Sequence, residues 1–269
     1  MAGARKRRKL VKAAEAVPFW WHSIDLGEGV VTDGQRTAEE LDRQWLQLGL
    51  PDLAGASVLD VGAWDGYFSF RAEKAGAARV VALDHYAWSV DQVAHIRYLE
   101  GCRRAGTPPA PPHTVPELWK PDQLPGKAGF DAAHRARESK VESVVGDVLT
   151  MDLERLGRFD VVLLLGVLDH LLHPLLVLER LRRITDDVLV IETEAVAVPG
   201  FEHHGFCEFF EGDEMNGDPT TWWAPNRRAL VGMCHTAGFA RVEGGKGPES
   251  HPRSAEALHR YRLVLRART

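Results

Sequence analysis

Five short apolar runs, at residues 58–61, 80–83, 141–145, 159–165 and 188–192, are separated by segments whose apolar residues recur every three to four positions. That alternation predicts strands and helices of a parallel α/β sheet. The most continuous run, FDVVLLL at 159–165, is predicted to be a central strand buried on both faces. Helical periodicity covers residues 67–75, 88–104, 129–138, 174–183 and 226–236, and Pro174 suits the first turn of the fourth. Two further strand-like stretches lie near 239–243 and 261–266.

The link between the first run and its helix is Gly62-Ala63-Trp64-Asp65-Gly66, a turn whose glycines let backbone approach a ligand closely. The second run ends in Asp84, where a carboxylate accepts hydrogen bonds from two ribose hydroxyls. The unit therefore reads as a cradle for an adenosine-containing ligand. A dinucleotide turn usually runs G-x-G-x-x-G, but here Trp64 replaces the middle glycine and Asp65 precedes the helix. A phosphate would meet a bulky ring and a like charge. S-adenosylmethionine has no phosphate and is cationic at its ammonium and sulfonium, which suits Asp60 and Asp65; NAD and a turn that serves only helix packing are the weaker readings.

Other segments frame this unit. Residues 1–50 read as a basic head and an aromatic, helical lid, the remainder (51–269) as the ligand-binding domain. Thr37 to Glu40 has capping-box spacing, with Leu41, Trp45 and Leu48 on one helix face. The cluster around Phe19, Trp20, Trp21 and His22 either lies over the ligand or plugs a sheet edge. Seven prolines fall within 107–125, too many for regular structure, so 107–126 is expected to be an ordered or semi-ordered excursion over the surface. Residues 195–225 lack periodicity but are rich in aromatics, a substrate-side insertion.

Composition narrows the class. A chain of 269 residues with 45% hydrophobic content supports one sizeable core. Three dispersed cysteines with no CxxC indicate neither a disulfide framework nor a zinc site, and the two adjacent histidines lack a third ligand at recognisable spacing, so no metal is expected. The start has no apolar segment after its basic residues and no run reaches membrane-spanning length, so a cytoplasmic protein is expected. Six of the 33 lysines and arginines lie in residues 5–12, while all 38 acidic residues lie beyond them. The acidic body argues against a nucleic-acid groove, and the basic head is either a solvated helical turn or an RNA-binding arm.

With these motifs in view, the chain resembles the class I S-adenosylmethionine-dependent methyltransferases. More narrowly it resembles the bacterial family that alkylates a wobble-position hydroxyuridine of tRNA and its small-molecule relatives. The likeness rests on Pro18-Phe19, Ile24-Asp25, LDVGAWDGYFSF, FDVVLLLGVLDHLLHPLLVLERL, Glu192-Thr193, Trp223-Ala224-Pro225-Asn226 and Ala237-Gly238-Phe239. It implies a Rossmann-like fold with seven mostly parallel strands, the last two antiparallel, and helices on both faces. It also implies that Asp60, Gly62 and Gly66 line the methionine end of the cofactor, Asp84 the ribose, Asp147 and Val148 the adenine, and Gly166 the sulfonium edge. Ala63, Trp64, His85 and Trp21 complete that expected set. The tRNA enzymes read a carboxylated cofactor partly through a lysine ahead of the Pro-Phe pair and a tyrosine in GVLYH. Here Ala16 and Val17 precede Pro18 and Asp169 stands at the tyrosine position, so plain S-adenosylmethionine is expected.

Methyl transfer needs alignment of acceptor, methyl and sulfur, and a base when the acceptor is a hydroxyl. His170 is the predicted base, with Asp169 orienting it or binding the acceptor. His22, His173, Glu194, His203, His204, Trp222 and Trp223 are candidate substrate residues. The expected activity is O-methylation of a small molecule such as a sugar, glycolipid or secondary metabolite. A tRNA methyltransferase and a non-catalytic binding protein of the same fold are the alternatives; a homo-oligomer is compatible with either.

Overall fold

In the computed structural model, which describes residues 2–246 and 258–269, seven strands form one sheet. They are β1 (Ser57–Val61), β2 (Arg79–Asp84), β3 (Glu142–Val145), β4 (Phe159–Leu165), β5 (Thr185–Ala197), β6 (Arg241–Lys246) and β7 (His259–Arg268). Their order across the sheet is β6-β7-β5-β4-β1-β2-β3, and β7 alone runs against its neighbours. The seven-stranded, mostly parallel architecture is therefore the expected one, with β6 and β7 paired antiparallel. The expected domain span includes residues 247–257, which lie outside the described residues.

Period-two alternation fills both faces. Along β4, Phe159, Val162 and Leu164 join one core with Leu178 and Leu181 of α7 (Pro174–Ile184) and Leu230 of α8 (Arg227–Thr236). Val161 and Leu163 point into the other, with Leu10 of α1 (Ala2–Glu15), Leu41 of α2 (Ala38–Gln47), Phe70 of α3 (Tyr67–Lys74) and Phe130 of α6 (Ala128–Arg137). The N-terminal residues thus share a core with the sheet. α2 begins with the expected capping box, in which Thr37 accepts from the Glu40 amide and Glu40 accepts from the Thr37 amide.

Two expectations are corrected. The helix predicted over 88–104 is broken: a turn α4 (Tyr86–Ser89) ends at extended Val90, and α5 (Gln92–Ala105) restarts with the Asp91 side chain accepting from the Ala94 amide. The Asp91 cap outcompetes continued helix, and Val90 bridges to Trp119 of the proline-rich excursion. That excursion is ordered, within the expected reading, and holds two 3-10 turns (Pro112–Thr114 and Pro125–Lys127) and a buried Leu118. Finally, β5 runs on to Ala197 because β7 pairs with it from Val188 to Ala197, so the insertion begins inside the strand. Beyond it, Cys207–Phe209 and Trp223–Pro225 form a ribbon over Phe210 and Met215.

Candidate active site

The carboxyl ends of β1, β2, β3 and β4 open into a cleft of about 1370 Å3, where an open α/β sheet binds its ligands. Trp21, Asp60, Gly62, Trp64, Asp84, His85, Asp147, Val148 and Gly166 all line it, as do His22, His170, His173 and Trp222.

Strained backbone builds the glycine turn. Gly62 has φ +78°, and a Cβ there would come 2.4 Å from Val167 Cγ2; Gly66, at φ +85°, would meet Phe130 at 2.7 Å. Gly66 and Ala63 shape the turn from beneath, since neither lines the cleft and Ala63 is buried. Trp64 also takes a left-handed φ, +47°, costly for a bulky residue. Its amide donates to Asp84 Oδ2 (2.9 Å), its carbonyl accepts from Trp88 Nε1 (2.7 Å), and its ring stacks on Trp21 at 4.7 Å. The peptide is held at both ends.

Three buried aspartates surround that turn. Asp84 accepts one amide on each oxygen, from Trp64 and Ala87 (2.9 and 3.0 Å), which leaves further lone pairs on both. Burial pushes it up to about 6 despite those bonds. Asp60 accepts from Ser69 Oγ at 2.6 Å and is likewise pushed by burial to about 6. Asp65 does not line the cleft, contrary to the expectation that it faces a cationic ligand. Its Oδ2 accepts the amides of Trp21 (2.7 Å) and His22 (3.0 Å), tying the N-terminal segment over the turn, and burial pushes it up to about 7. Within the aromatic cluster, Trp20 is buried in the core while Trp21 lines the cleft.

At the end of β4, His170 Nδ1 contacts Thr220 Oγ1 (2.9 Å) and the Thr220 carbonyl (3.2 Å). Thr220 Oγ1 donates to Asp218 Oδ1 (2.6 Å). A carbonyl only accepts, so Nδ1 donates, and in the neutral ring the lone pair is then on Nε2. Orientation comes from Thr220, a partner the sequence pattern did not single out. Asp169 is buried, accepts from Thr193 Oγ1 (3.2 Å) and stands 3.8 Å from His170 Nε2; it lies behind the cleft wall. His22 is a poor base: burial first, then Arg36, push it down to about 3, and its buried Nδ1 has no hydrogen-bond partner among the described residues.

Arg262, also not anticipated, lines the cleft and pairs with Glu192 (Nε to Oε1, 2.7 Å) and Glu194 (3.3 Å). Burial opposes its charge, but Glu192 and the neighbouring acids outweigh that and hold it above its usual range. Glu194 is thus behind the wall, raised by burial, and not in the cleft. His203 and His204 are exposed on the insertion away from the cleft, and Trp223 packs on Phe209 at 4.9 Å, leaving Trp222 as the pocket member of that pair. His173 sits at the exposed rim, N-terminal to α7.

Comparison with known proteins agrees with this architecture. A family model described as a methyltransferase domain matches residues 34–243. The N-terminal domain of EvdMO1, solved in the presence of SAH and D-fucose, is similar at a TM-score of 0.57 and 20% identity, over 98% of this chain and 97% of that one. Against whole EvdMO1 the chain spans 48% of the larger protein (TM-score 0.56, 19% identity, 98% of this chain). CrArsM, an arsenic (III) S-adenosylmethionine methyltransferase from Chlamydomonas reinhardtii, gives a TM-score of 0.52 at 15% identity, over 96% and 72% of the two chains. No curated protein matches. At these identities the structures speak for the fold. The family model spans most of the sequence, so the chain belongs to the methyltransferase-domain family and is, by class, an S-adenosylmethionine-dependent methyltransferase.

Proposed function

We propose that this protein transfers the methyl group of S-adenosylmethionine to a hydroxyl of a small molecule, with His170 as the base. The observation that carries the reading is the contact of His170 Nδ1 with the hydroxyl and carbonyl of Thr220 on a residue that lines the cleft, which in the neutral ring leaves Nε2 as the accepting nitrogen.

The cleft suits the cofactor. Asp84 has lone pairs open on both oxygens beyond its two amides, Asp147 and Val148 line the adenine end, and Gly166, whose Cβ would crowd Arg262 at 3.2 Å, keeps the wall thin at the β4 end. Trp21 and Trp64 offer stacked, electron-rich rings to a cation. When bound, the cofactor supplies a methyl carbon already activated by its sulfonium. The acceptor oxygen takes that carbon as its proton passes to His170 Nε2, leaving the C–S electron pair on sulfur. The N-terminal segment, tied down by Asp65, keeps water from the reacting groups. EvdMO1, solved with D-fucose, supports a sugar-like acceptor.

A radiolabelled methyl-transfer assay with hydroxylated acceptors, followed by product NMR, tests this. Label on oxygen supports it, and label only on nitrogen overturns the O-methyl reading. A second reading, tRNA modification, is supported by α1, whose Arg5, Lys6, Arg7, Arg8, Lys9 and Lys12 are all exposed. Salt-sensitive copurification with tRNA and methyl incorporation into it would favour that reading.

A further inference from the structure

The cleft, at about 1370 Å3, exceeds the roughly 300–1,000 Å3 of a pocket fitted to one drug-sized ligand. Beyond the glycine turn it continues as a lobe between α5 with the proline-rich excursion and the tip of the insertion.

One wall of the lobe is aromatic. The Tyr86 ring lies 5.1 Å from Trp119 and 5.8 Å from His113, all tilted or edge-on, and the Tyr86 hydroxyl is 3.1 Å from His113 Nδ1. Asp218 lines the cleft from the insertion. Its Oδ1 accepts the amide and hydroxyl of Thr220 (2.8 and 2.6 Å), and it makes no ion pair among the described residues. It lines the cleft together with Tyr86 and His95. No lysine or arginine lines this lobe among the described residues. The cationic lining residues are Arg36 and Arg43, at the α2 end, and Arg262, already engaged by Glu192 and Glu194.

We propose that this lobe is the acceptor subsite and that it takes a ring bearing a protonated amine, the ring against Tyr86 and Trp119 and the ammonium at Asp218. Aromatic faces attract cations, and a carboxylate with no positive neighbour does so more strongly. An anionic acceptor would meet Asp218 with no cation to offset the repulsion. Thr220 holds both Asp218 and His170, so an amine anchored there leaves its ring within the span of the base. The inference rests on the methyl-transfer reading of this cleft.

The chemistry is shared by amino sugars and arylalkyl amines, and the test separates them. Enzyme saturated with SAH is titrated with two amine–carboxylate pairs: methyl glucosaminide against methyl glucuronide, and tyramine against 4-hydroxyphenylacetate. In at least one pair the amine binds about ten-fold tighter or more, as for a charge-assisted contact. Asp218→Asn, which still accepts from Thr220, removes that preference without changing SAH affinity, and Trp119→Leu weakens the same amine. Carboxylates that match or beat their amines in both pairs, amines that do not bind, or a preference surviving Asp218→Asn would each overturn the inference. Failure of SAH itself to bind would instead sink the methyl-transfer reading.

Discussion

Nδ1 of His170 lies 2.9 Å from Oγ1 of Thr220, and that hydroxyl donates onward to Asp218 over 2.6 Å. The insertion, which carries no periodic signal, therefore orients a histidine at the carboxyl end of the sheet by engaging its Nδ1. Replacing His170 with alanine removes the base and is expected to slow transfer by about 10²- to 10⁴-fold. Thr220→Val leaves the ring and the backbone carbonyl but removes the hydroxyl partner, and should cost less, about ten-fold in turnover with the KM for the acceptor little changed. SAH affinity measured by calorimetry should be unchanged in both. Unaltered turnover in His170→Ala would remove it as the base.

Gly62 stands at φ +78° with Val167 Cγ2 only 2.4 Å from where a Cβ would sit. Gly62→Ala therefore combines a left-handed backbone penalty of about 1–2 kcal/mol with a clash. Thermal unfolding should fall by several degrees, on the order expected for that loss, and cofactor affinity should fall with it. Gly55, which has a similar φ of +76° but open space in the direction a Cβ would take, serves as the comparison: Gly55→Ala should show the strain without the loss of affinity.

The Asp65 carboxyl has a folded pKa pushed by burial from 3.8 to about 7. The folded chain holds a proton that the unfolded chain releases across that window. This group's contribution to stability is thus complete below about pH 4 and is lost as pH rises through 7. Asp65→Asn cannot titrate, so its melting temperature should fall less than that of the wild-type protein between pH 4 and 7. Asp60 and Asp84 are common to both proteins and cancel in the comparison. Parallel curves would show that Asp65 is not protonated in the folded state.

Arg262 pairs with Glu192 and Glu194 and stands 3.8 Å from Asp169. Arg262→Met leaves buried carboxylates uncompensated, a loss of about 3–5 kcal/mol, readable as a lowered urea midpoint. Adding Glu192→Gln should recover part of it. Additive losses would mean the two side chains are not coupled.

What the sequence revealed, and what it hid, follows from how local each signal is. FDVVLLL announced β4 because both faces of that strand are apolar, and Asp84 was legible because it ends a strand beside a glycine turn. Asp65 carried the same local signature as a ligand-facing acid, yet its direction is decided by two amides from Trp21 and His22, more than forty residues away in sequence. The break at Val90 was visible in principle, since Asp91 is a good N-cap, but the apolar spacing across it matched one long helix. Arg262 was hidden by pairing: only the antiparallel register that sets it opposite Glu194 shows why Glu192, Glu194 and Arg262 belong together. Thr220 and Asp218 had no readable pattern, because an irregular insertion takes its course from contacts such as the Trp222 amide donating to the Asp169 carbonyl.

The central claim, that the cleft above the Gly62 turn binds S-adenosylmethionine through Asp84, is tested most directly by calorimetric titration of the cofactor into wild-type protein and Asp84→Ala. One site per chain in the wild type, weakened about ten- to a hundred-fold in the variant, is the predicted result, on the scale of hydrogen bonds to a charged group. No heat at millimolar cofactor, or the same affinity in both proteins, would contradict it.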